Sequence, residues 1–440
     1  MASSNQNTDQ FKVLIAGGSL VGLGLALAFE RAGIDYELFE KGGLRTAAGG
    51  LYRISPAHHT DSRAAGVNIE EILQRPIVFM ERCKALEVLH SHVKEKSKLH
   101  PQTAVVEYEE TAEGIILTTE NGARHHGHIL IGADGIHSKV RQLMADNIGV
   151  TNPNLARKIN EAFTSEYNCI FAVSQNEKFL PDGMVHNVYY NDYSAIAAAG
   201  VTGLVFWFLF VKESKLTRTP KCPQFTDEDA KTYIQKYGNS LVGPGYTVKD
   251  LWESRVTATM VPLEEGIIPQ WCHNRVVLMG DSVHKATVNP GLGGNTAYEG
   301  IARFTNGLIP LLKENPTPSV EQLTEVFNKY ITGQAPRARR VVDISGSITR
   351  YEAQDTWFLK FAARHIVPWF SDRIKAKLYA SFSKGGPWLE YLPLPARDID
   401  IGTAAEEPIQ SIAPRLIAGT IILGAAAIIW QTRRGPLASL

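Results

Sequence analysis

The sequence predicts an α/β fold: a parallel-sheet domain interrupted by a mostly antiparallel β-sheet domain and followed by a helical region and an apolar tail. Three observations carry that expectation. The apolar run Phe11–Ala16 passes through a glycine turn into a helical stretch and then a second apolar run closing on Glu40. Two later apolar runs also end on a glycine beside an acid, at Asp134-Gly135 and Gly280-Asp281. Between them, from about 165 to 265, short aromatic and β-branched runs replace the strand–helix alternation.

The chain has 440 residues, too many for one ordinary core. Its composition is that of a globular enzyme, 44% hydrophobic and 20% charged, with a formal net charge of zero. No basic excess points to nucleic acid. The four cysteines, Cys83, Cys169, Cys222 and Cys272, are scattered without metal-ligand spacing, so no metal site is expected. The opening MASSNQNTDQ lacks the apolar core of a signal peptide.

The first unit reads FKVLIAGGSLVGLGLALAFERAGIDYELFEK. Phe11–Ala16 suits a buried parallel strand, Leu23–Ala32 a helix ended by Gly33, and Tyr36–Phe39 a second strand. This is a Rossmann-like βαβ unit. Backbone N–H groups at its helix N-terminus would take a pyrophosphate, and the terminal acid Glu40 would take ribose hydroxyls. Ser19 stands where the strict GxGxxG pattern has glycine.

Residues 42–75 read as loops with a short helix at their end, and His58-His59 as solvated loop histidines. PIVFMERCKALEVLHSHV is a strand running into a helix, with Arg82 at the junction. A meander follows, with strands near 103–109, 114–119 and 124–132 and a Glu-Asn-Gly turn. GADGIHSKVR then carries Asp134 from a strand end into a helix, where an acid also serves as a cap. Val185–Tyr190, Ser194–Ala199 and Leu204–Phe210 read as strands, the last bearing Phe206, Trp207, Phe208 and Phe210 as core or as the roof of an apolar cavity. NRVVLMGDSVHKATVNPGLGGN returns to strand, glycine loop and helix, the helix opening at Asn295. A helical region over 319–383 leads to a proline- and acid-rich linker.

In this order the motifs resemble the single-component FAD-dependent aromatic hydroxylases and epoxidases, the class A flavoprotein monooxygenases, over roughly residues 10 to 350. GGSLVGLGLA, FMERCKALEVL, VFWFLF and GDSVHKATVNPGLGGN look most like the fungal epoxidases of indole-diterpene and meroterpenoid biosynthesis. The resemblance implies an FAD-binding domain in two parts, 1–164 and 269–345, around a substrate domain at 165–268, with a helical region and linker at 346–412. It implies that Gly17, Gly18, Gly22 and Glu40 hold the ADP half of FAD. Arg82 would contact the linker region of the cofactor, and Asp134 would line its approach. Asp281 would bond the ribityl chain, Pro290, Gly291, Gly293 and Gly294 would let backbone come close to the ring, and Asn295 would open the helix whose positive end faces it. NADPH or NADH would be the reductant, O₂ the oxidant, and a small hydrophobic prenylated molecule the substrate, epoxidised at a double bond. Aromatic hydroxylation, or flavin binding by a shortened and impaired homologue, are the alternatives. No catalytic acid–base residue is assigned; His284 is the nearest candidate and reads as a structural loop histidine.

The chain departs from the family pattern at Val288, where proline is common, at Ala286, where a bulkier residue stands, and in a short 41–81 segment. Leu416–Thr432 is uncharged between Arg415 and Arg433-Arg434 and includes Trp430. As a helix of about 25 Å it suggests a membrane span over 415–432. That would make the chain a single-pass protein, of the endoplasmic reticulum, with its catalytic body facing the cytosol.

Overall fold

The computed structural model describes residues 10–44, 51–54, 58–59, 72–73, 78–176, 179–181, 184–199 and 203–393. Its two large sheets have different chemistry because their strands have different surroundings. The first has six strands, in the order Cys272–His273, Val276–Leu278, Ile129–Gly132, Lys12–Ala16, Asp35–Phe39 and Leu99–His100. All pair in parallel except the Cys272–His273 edge. Val13, Leu14, Ile15, Ile129, Leu130, Ile131, Val276 and Val277 are buried, as a sheet covered on both faces requires.

The second sheet has seven strands, built mainly from Thr164–Gln175, Met184–Tyr189, Tyr193–Ala199, Leu204–Arg218 and Arg255–Ile267. These pair antiparallel, with His58–His59 and His284–Lys285 at the two edges. Period-two alternation along Leu204–Arg218 sorts its aromatic run. Trp207 and Leu209 pack in a core with Val248 and Leu251, under the helices Asp227–Tyr237 and Val248–Glu253. Phe208 and Phe210 face the other way, beside Tyr167, Cys169 and Ile196. A three-stranded meander, Val105–Glu110, Ile115–Thr119 and Arg124–Gly127, lies beside the first sheet.

The expected single strand over 124–132 is two. Arg124–Gly127 pairs within the meander, and Ile129–Gly132 joins the parallel sheet. His128 makes the change of partner: its N–H donates to Lys12 O at 2.8 Å, and its Nδ1 accepts from Lys12 N at 3.0 Å. The expected helical region is also broken into Val320–Glu352, Trp357–His365 and Asp372–Ser383.

Val320–Glu352 joins the two halves. Ser319 caps it by accepting from Gln322 N, and Gln322 answers at Ser319 N, a reciprocal cap. With 33 residues it is about 50 Å long. Leu323, Phe327 and Tyr330 lie in the core of the first sheet. At its far end Arg350 donates to Glu265 Oε1 at 2.5 Å and to Glu166 Oε2 at 3.0 Å, both on strands of the second sheet. Glu352 accepts from Asn187 at 2.8 Å and from Asn289 at 2.5 Å.

The membrane expectation is corrected. Among the described residues no helix is long and apolar enough to cross a membrane, so the single-pass placement does not stand. The segment 415–432 itself lies outside the described residues, as does most of 41–81.

Arg350 offers a direct measure of the joint between the halves. Arg350→Ala leaves Glu265 and Glu166 without their shared cation in a buried setting. The loss expected is about 3–5 kcal/mol, read as a lower denaturant midpoint in chemical unfolding.

Candidate cofactor site

The site is built from strand ends. Register pairs Phe39 with Ala16, Ala16 with Gly132 and Gly132 with Leu278, so four strands finish in one row. The chain leaves that row at Glu40, Gly17, Ala133 and Met279. Backbone bonds tie the exits together: Gly17 N to Phe39 O at 2.7 Å, Ala133 N to Ala16 O at 2.7 Å, and Met279 N to Gly132 O at 2.9 Å. Motifs distant in sequence therefore meet at one edge, where open α/β sheets bind ligands.

They meet around a cleft of about 280 Å³. Gly17, Glu40, Arg82, Asp134, Asp281 and Gly294 all line it, with Ser19, Leu20, Val21, Lys41, His137 and Lys139. Gly18 and Gly22 stand behind the lining. Pro290, Gly291 and Gly293 belong to the loop before the helix Gly293–Glu314 and its first turn. Asn295 lines a separate, mostly apolar cavity of about 700 Å³ with Leu27, Leu89, Leu292 and Trp388.

Two glycines explain the first loop. A Cβ on Gly17, at φ +107°, would sit 2.4 Å from Ala133 O. One on Gly22 would sit 1.8 Å from Gly17 O. The first lets the loop cross the neighbouring strand end; the second lets the helix start hard against that loop. The helix Leu20–Ala32 begins at Ser19, whose side chain makes no capping bond, and has no acid in its first turn. Its N-terminal N–H groups, with the positive end of the helix dipole, face the cleft through Leu20 and Val21. Ser19 Oγ instead accepts from the Arg82 guanidinium, which the helix Arg82–His92 presents from the side.

Glu40 is held by backbone. Its carboxylate accepts from Gly18 N at 2.6 Å and Gly42 N at 2.8 Å. Asp134 is both cap and lining: it accepts from Lys139 N at 2.7 Å, Val140 N at 3.1 Å and Ser138 Oγ at 2.5 Å, at the start of the helix Lys139–Gly149. Burial lifts the Asp134 carboxyl above its ordinary value against those bonds. Asp281 behaves oppositely. Burial works against its charge, but Lys285, bonded to it one turn on, together with His284 and Arg82, holds it below its ordinary value.

Two residues that sequence reasoning gave no role fasten the strand ends. Arg141 is buried and donates to Ser282 O at 3.0 Å and Ile136 O at 2.5 Å, with its guanidinium 4.9 Å from the Phe163 ring centre. Burial pulls it down to about 10, with Asp134 opposing. Ser282 Oγ donates to Gly132 O at 2.7 Å and accepts from Met279 N at 3.1 Å. Arg141 lay inside a quoted motif, but nothing local in the sequence says that it reaches Ser282.

The second glycine loop is anchored from behind. Asn289 accepts from Thr349 Oγ1 at 2.7 Å, Thr349 also reaches Thr287 at 2.8 Å, and Tyr379 donates to Pro290 O at 2.9 Å. Gly291 N closes a turn onto Val288 O at 2.9 Å, with Gly291 at φ +68°. Val288 is exposed on that turn, so valine for proline changes no packing there. Ala286 fits a small cluster with Leu292, Val341 and Val342. At Gly293 a Cβ would meet no protein atom, so internal packing does not account for that glycine.

His284 lies against Trp271, ring centres 5.7 Å apart, and its Nε2 is buried with no hydrogen-bond partner. Burial brings it down to about 4. That is a core histidine kept neutral.

This arrangement fits FAD. The close-packed glycine loop and uncapped helix N-terminus suit a diphosphate, Glu40 suits a diol, and Asp281 and Gly294 line the same cleft. Comparison with known proteins agrees. A family model described as "FAD binding domain" matches residues 58–345. The chain is 32% identical over 421 residues to FAD-dependent monooxygenase penM of Penicillium crustosum, covering 88% of this chain and 89% of that one. It is 32% identical over 427 residues to FAD-dependent monooxygenase ausM of Penicillium brasilianum, covering 89% of each. Among solved structures, Klebsiella pneumoniae HpxO complexed with FAD and uric acid superposes with a TM-score of 0.69 at 16% identity, over 86% of this chain and 97% of that one. Tetracycline destructase Tet(51) gives 0.61 at 14% identity, over 88% of this chain and 100% of that one. At such identities the solved structures show a common fold alone.

Gly17→Ala should purify with little bound flavin, because its Cβ cannot clear Ala133 O; absorbance of the folded protein reads this. His284 predicts a pH effect on stability. Its folded value, about 4, lies below the ordinary 6.5. Its contribution is therefore full above 6.5 and is lost as pH falls towards 4, by about 3 kcal/mol in all. His284→Gln should flatten that part of the stability–pH curve, measured by urea unfolding from neutral to acid pH.

Proposed function

The chain belongs to the FAD binding domain family and is an FAD-dependent monooxygenase, and from that premise we propose that it epoxidises a prenyl double bond of a terpenoid-containing metabolite, with NADPH or NADH as reductant. The observation carrying this reading is that Gly17, Glu40, Arg82, Asp134, Asp281 and Gly294 line one cleft. Bound FAD supplies the redox chemistry that joins the nicotinamide reductant, O₂ and the organic substrate.

The chain's own residues then have separable tasks. The N–H groups of the first helix and the Arg82 guanidinium hold the diphosphate. Glu40 accepts from the ribose hydroxyls while keeping its backbone donors, since each carboxylate oxygen can accept more than one bond. Asp281, kept ionised by Lys285, accepts from the ribityl hydroxyls. Asp134 borders the approach of the reductant. Pro290, Gly291, Gly293 and Gly294 let backbone come close to the ring.

We take residues 165–268 as the substrate domain. Support for an apolar substrate comes from the sheet face opposite its covering helices. Phe171, Phe208 and Val261 are only partly buried there, and the Phe208 and Phe210 rings are parallel at 5.8 Å. Such a face excludes water and takes a hydrocarbon chain by burial alone. Oxygen transfer to an alkene needs no acid–base pair of the hydrolase type.

The test is a product analysis. FAD-loaded enzyme with NADPH, air and a prenylated indole or meroterpenoid precursor should give a product one oxygen atom heavier, as an epoxide or its diol. A phenol would replace this reading with aromatic hydroxylation. NADPH oxidation that no precursor accelerates would point to the impaired homologue.

A further inference from the structure

Among the described residues, one group of metal-ligating side chains meets outside the cleft. Glu37 comes from the strand Asp35–Phe39, His100 from the edge strand Leu99–His100, and His125 from the meander strand Arg124–Gly127. Their ligand atoms all lie within 4.8 Å of one another. His125 Nδ1 is 2.7 Å and His100 Nε2 is 3.3 Å from the same oxygen, Glu37 Oε2. Nothing in their sequence spacing announces this, since three separate elements bring them together.

The fold orients all three. Parallel pairing sets His100 beside Phe39. The Phe39 ring stacks on His100 at 4.8 Å and meets His125 edge-on at 4.6 Å, so one buried aromatic fixes both imidazoles. Lys12 Nζ holds the other carboxylate oxygen, Glu37 Oε1, at 3.0 Å and leaves Oε2 turned to the histidines. His100 Nε2 is buried and makes no hydrogen bond: its 3.3 Å approach to Glu37 Oε2 lacks the alignment. A buried ring nitrogen left this way is costly unless something else satisfies it. The three side chains are 19%, 30% and 19% exposed, which leaves an ion a way in.

We propose that Glu37, His100 and His125 form a zinc(II) site, with water completing the coordination. Two imidazoles and a carboxylate are a ligand set for a borderline-soft divalent ion. Tetrahedral zinc with bonds of about 2.0–2.1 Å sets its ligand atoms about 3.3 Å apart, so His100 already stands at that separation and His125 must withdraw slightly. Lys12 acts as the outer partner that orients the carboxylate. Glu40 N donates to His100 O at 3.0 Å, so the site adjoins the strand end carrying Glu40. The proposal does not rest on the reaction assigned above.

The experiment titrates ZnCl₂ into tag-free, full-length, FAD-loaded enzyme by calorimetry. One zinc per chain is expected, with binding weakened by more than about tenfold in His100→Ala and in His125→Ala. Cobalt(II) in place of zinc should give the intense visible bands of a low-coordinate site in the wild type, absent in His125→Ala. Flavin content checks that each variant has folded, and His125→Asn serves if the alanine variant has not. Equal zinc affinity in wild type and folded histidine variants, or a cobalt spectrum that stays that of the aqueous ion, overturns the site and leaves the cluster a hydrogen-bonded buttress.

Discussion

The common ending of four parallel strands is the constraint on which the cleft depends. Phe39, Ala16, Gly132 and Leu278 lie in one row because the register is continuous across the sheet. A one-residue slip at any pairing would turn that strand's side chains to the other face and move its loop out of the row. The strands are buried on both faces, so such a slip would also break the fit of each side chain to its close-packed neighbours. Apolar burial therefore sets the register, and the register sets which loops can meet. Gly17 and Gly22 act at the next level: they remove the two Cβ atoms that would push the first loop away from Ala133 O and the first helix away from that loop.

A row of strand ends is not yet a rigid site, because loops leaving a sheet have few partners of their own. Arg141 and Ser282 supply them, bonding across the Asp134 and Asp281 loops from inside the protein. The second glycine loop is braced by the helix Val320–Glu352, through Thr349 and Glu352. That helix also binds the second sheet through Arg350 and Asn187. One rod thus carries the position of the sheet face bearing Phe208 to the loop containing Pro290. Both attachments fall in its last turn, where Glu352 alone bonds Asn187 on the sheet and Asn289 on the loop.

Legibility in the sequence followed the range of the forces. The first strand, its glycine turn, the helix ended by Gly33 and the second strand could be read because each depends on neighbours a few residues away. Arg82 could be placed at a strand–helix junction for the same reason. His128 could not: the split of one long strand into two depends on a bond to Lys12, which is remote in sequence. Arg141, Arg350 and the Glu37–His100–His125 group share that character, since a charged or polar residue gives no local sign of its distant partner. Asp134 was legible as a helix-capping acid, although it reaches Lys139 N and Val140 N across a loop whose own N-cap is Ser138.

The charge pattern of the cleft raises a difficulty that the hydrogen bonds resolve. The cleft proposed for a diphosphate is lined by three acids, Glu40, Asp134 and Asp281. Left bare, they would repel the ligand across a cleft of about 280 Å³. None is bare. Glu40 is spread over two backbone N–H groups, Asp134 sits on the N-terminus of Lys139–Gly149, and Asp281 is paired with Lys285. Their fields are therefore met locally. What remains for an incoming anion is the uncapped N-terminus of Leu20–Ala32 with Arg82, Lys41 and Lys139 around it. The acids can then act as short-range acceptors for hydroxyl groups while the cleft still attracts a negative ligand. Replacing Lys285 by a neutral residue would release Asp281 from this arrangement, so the lysine one turn beyond the acid belongs to the site although it lies outside the cleft's lining.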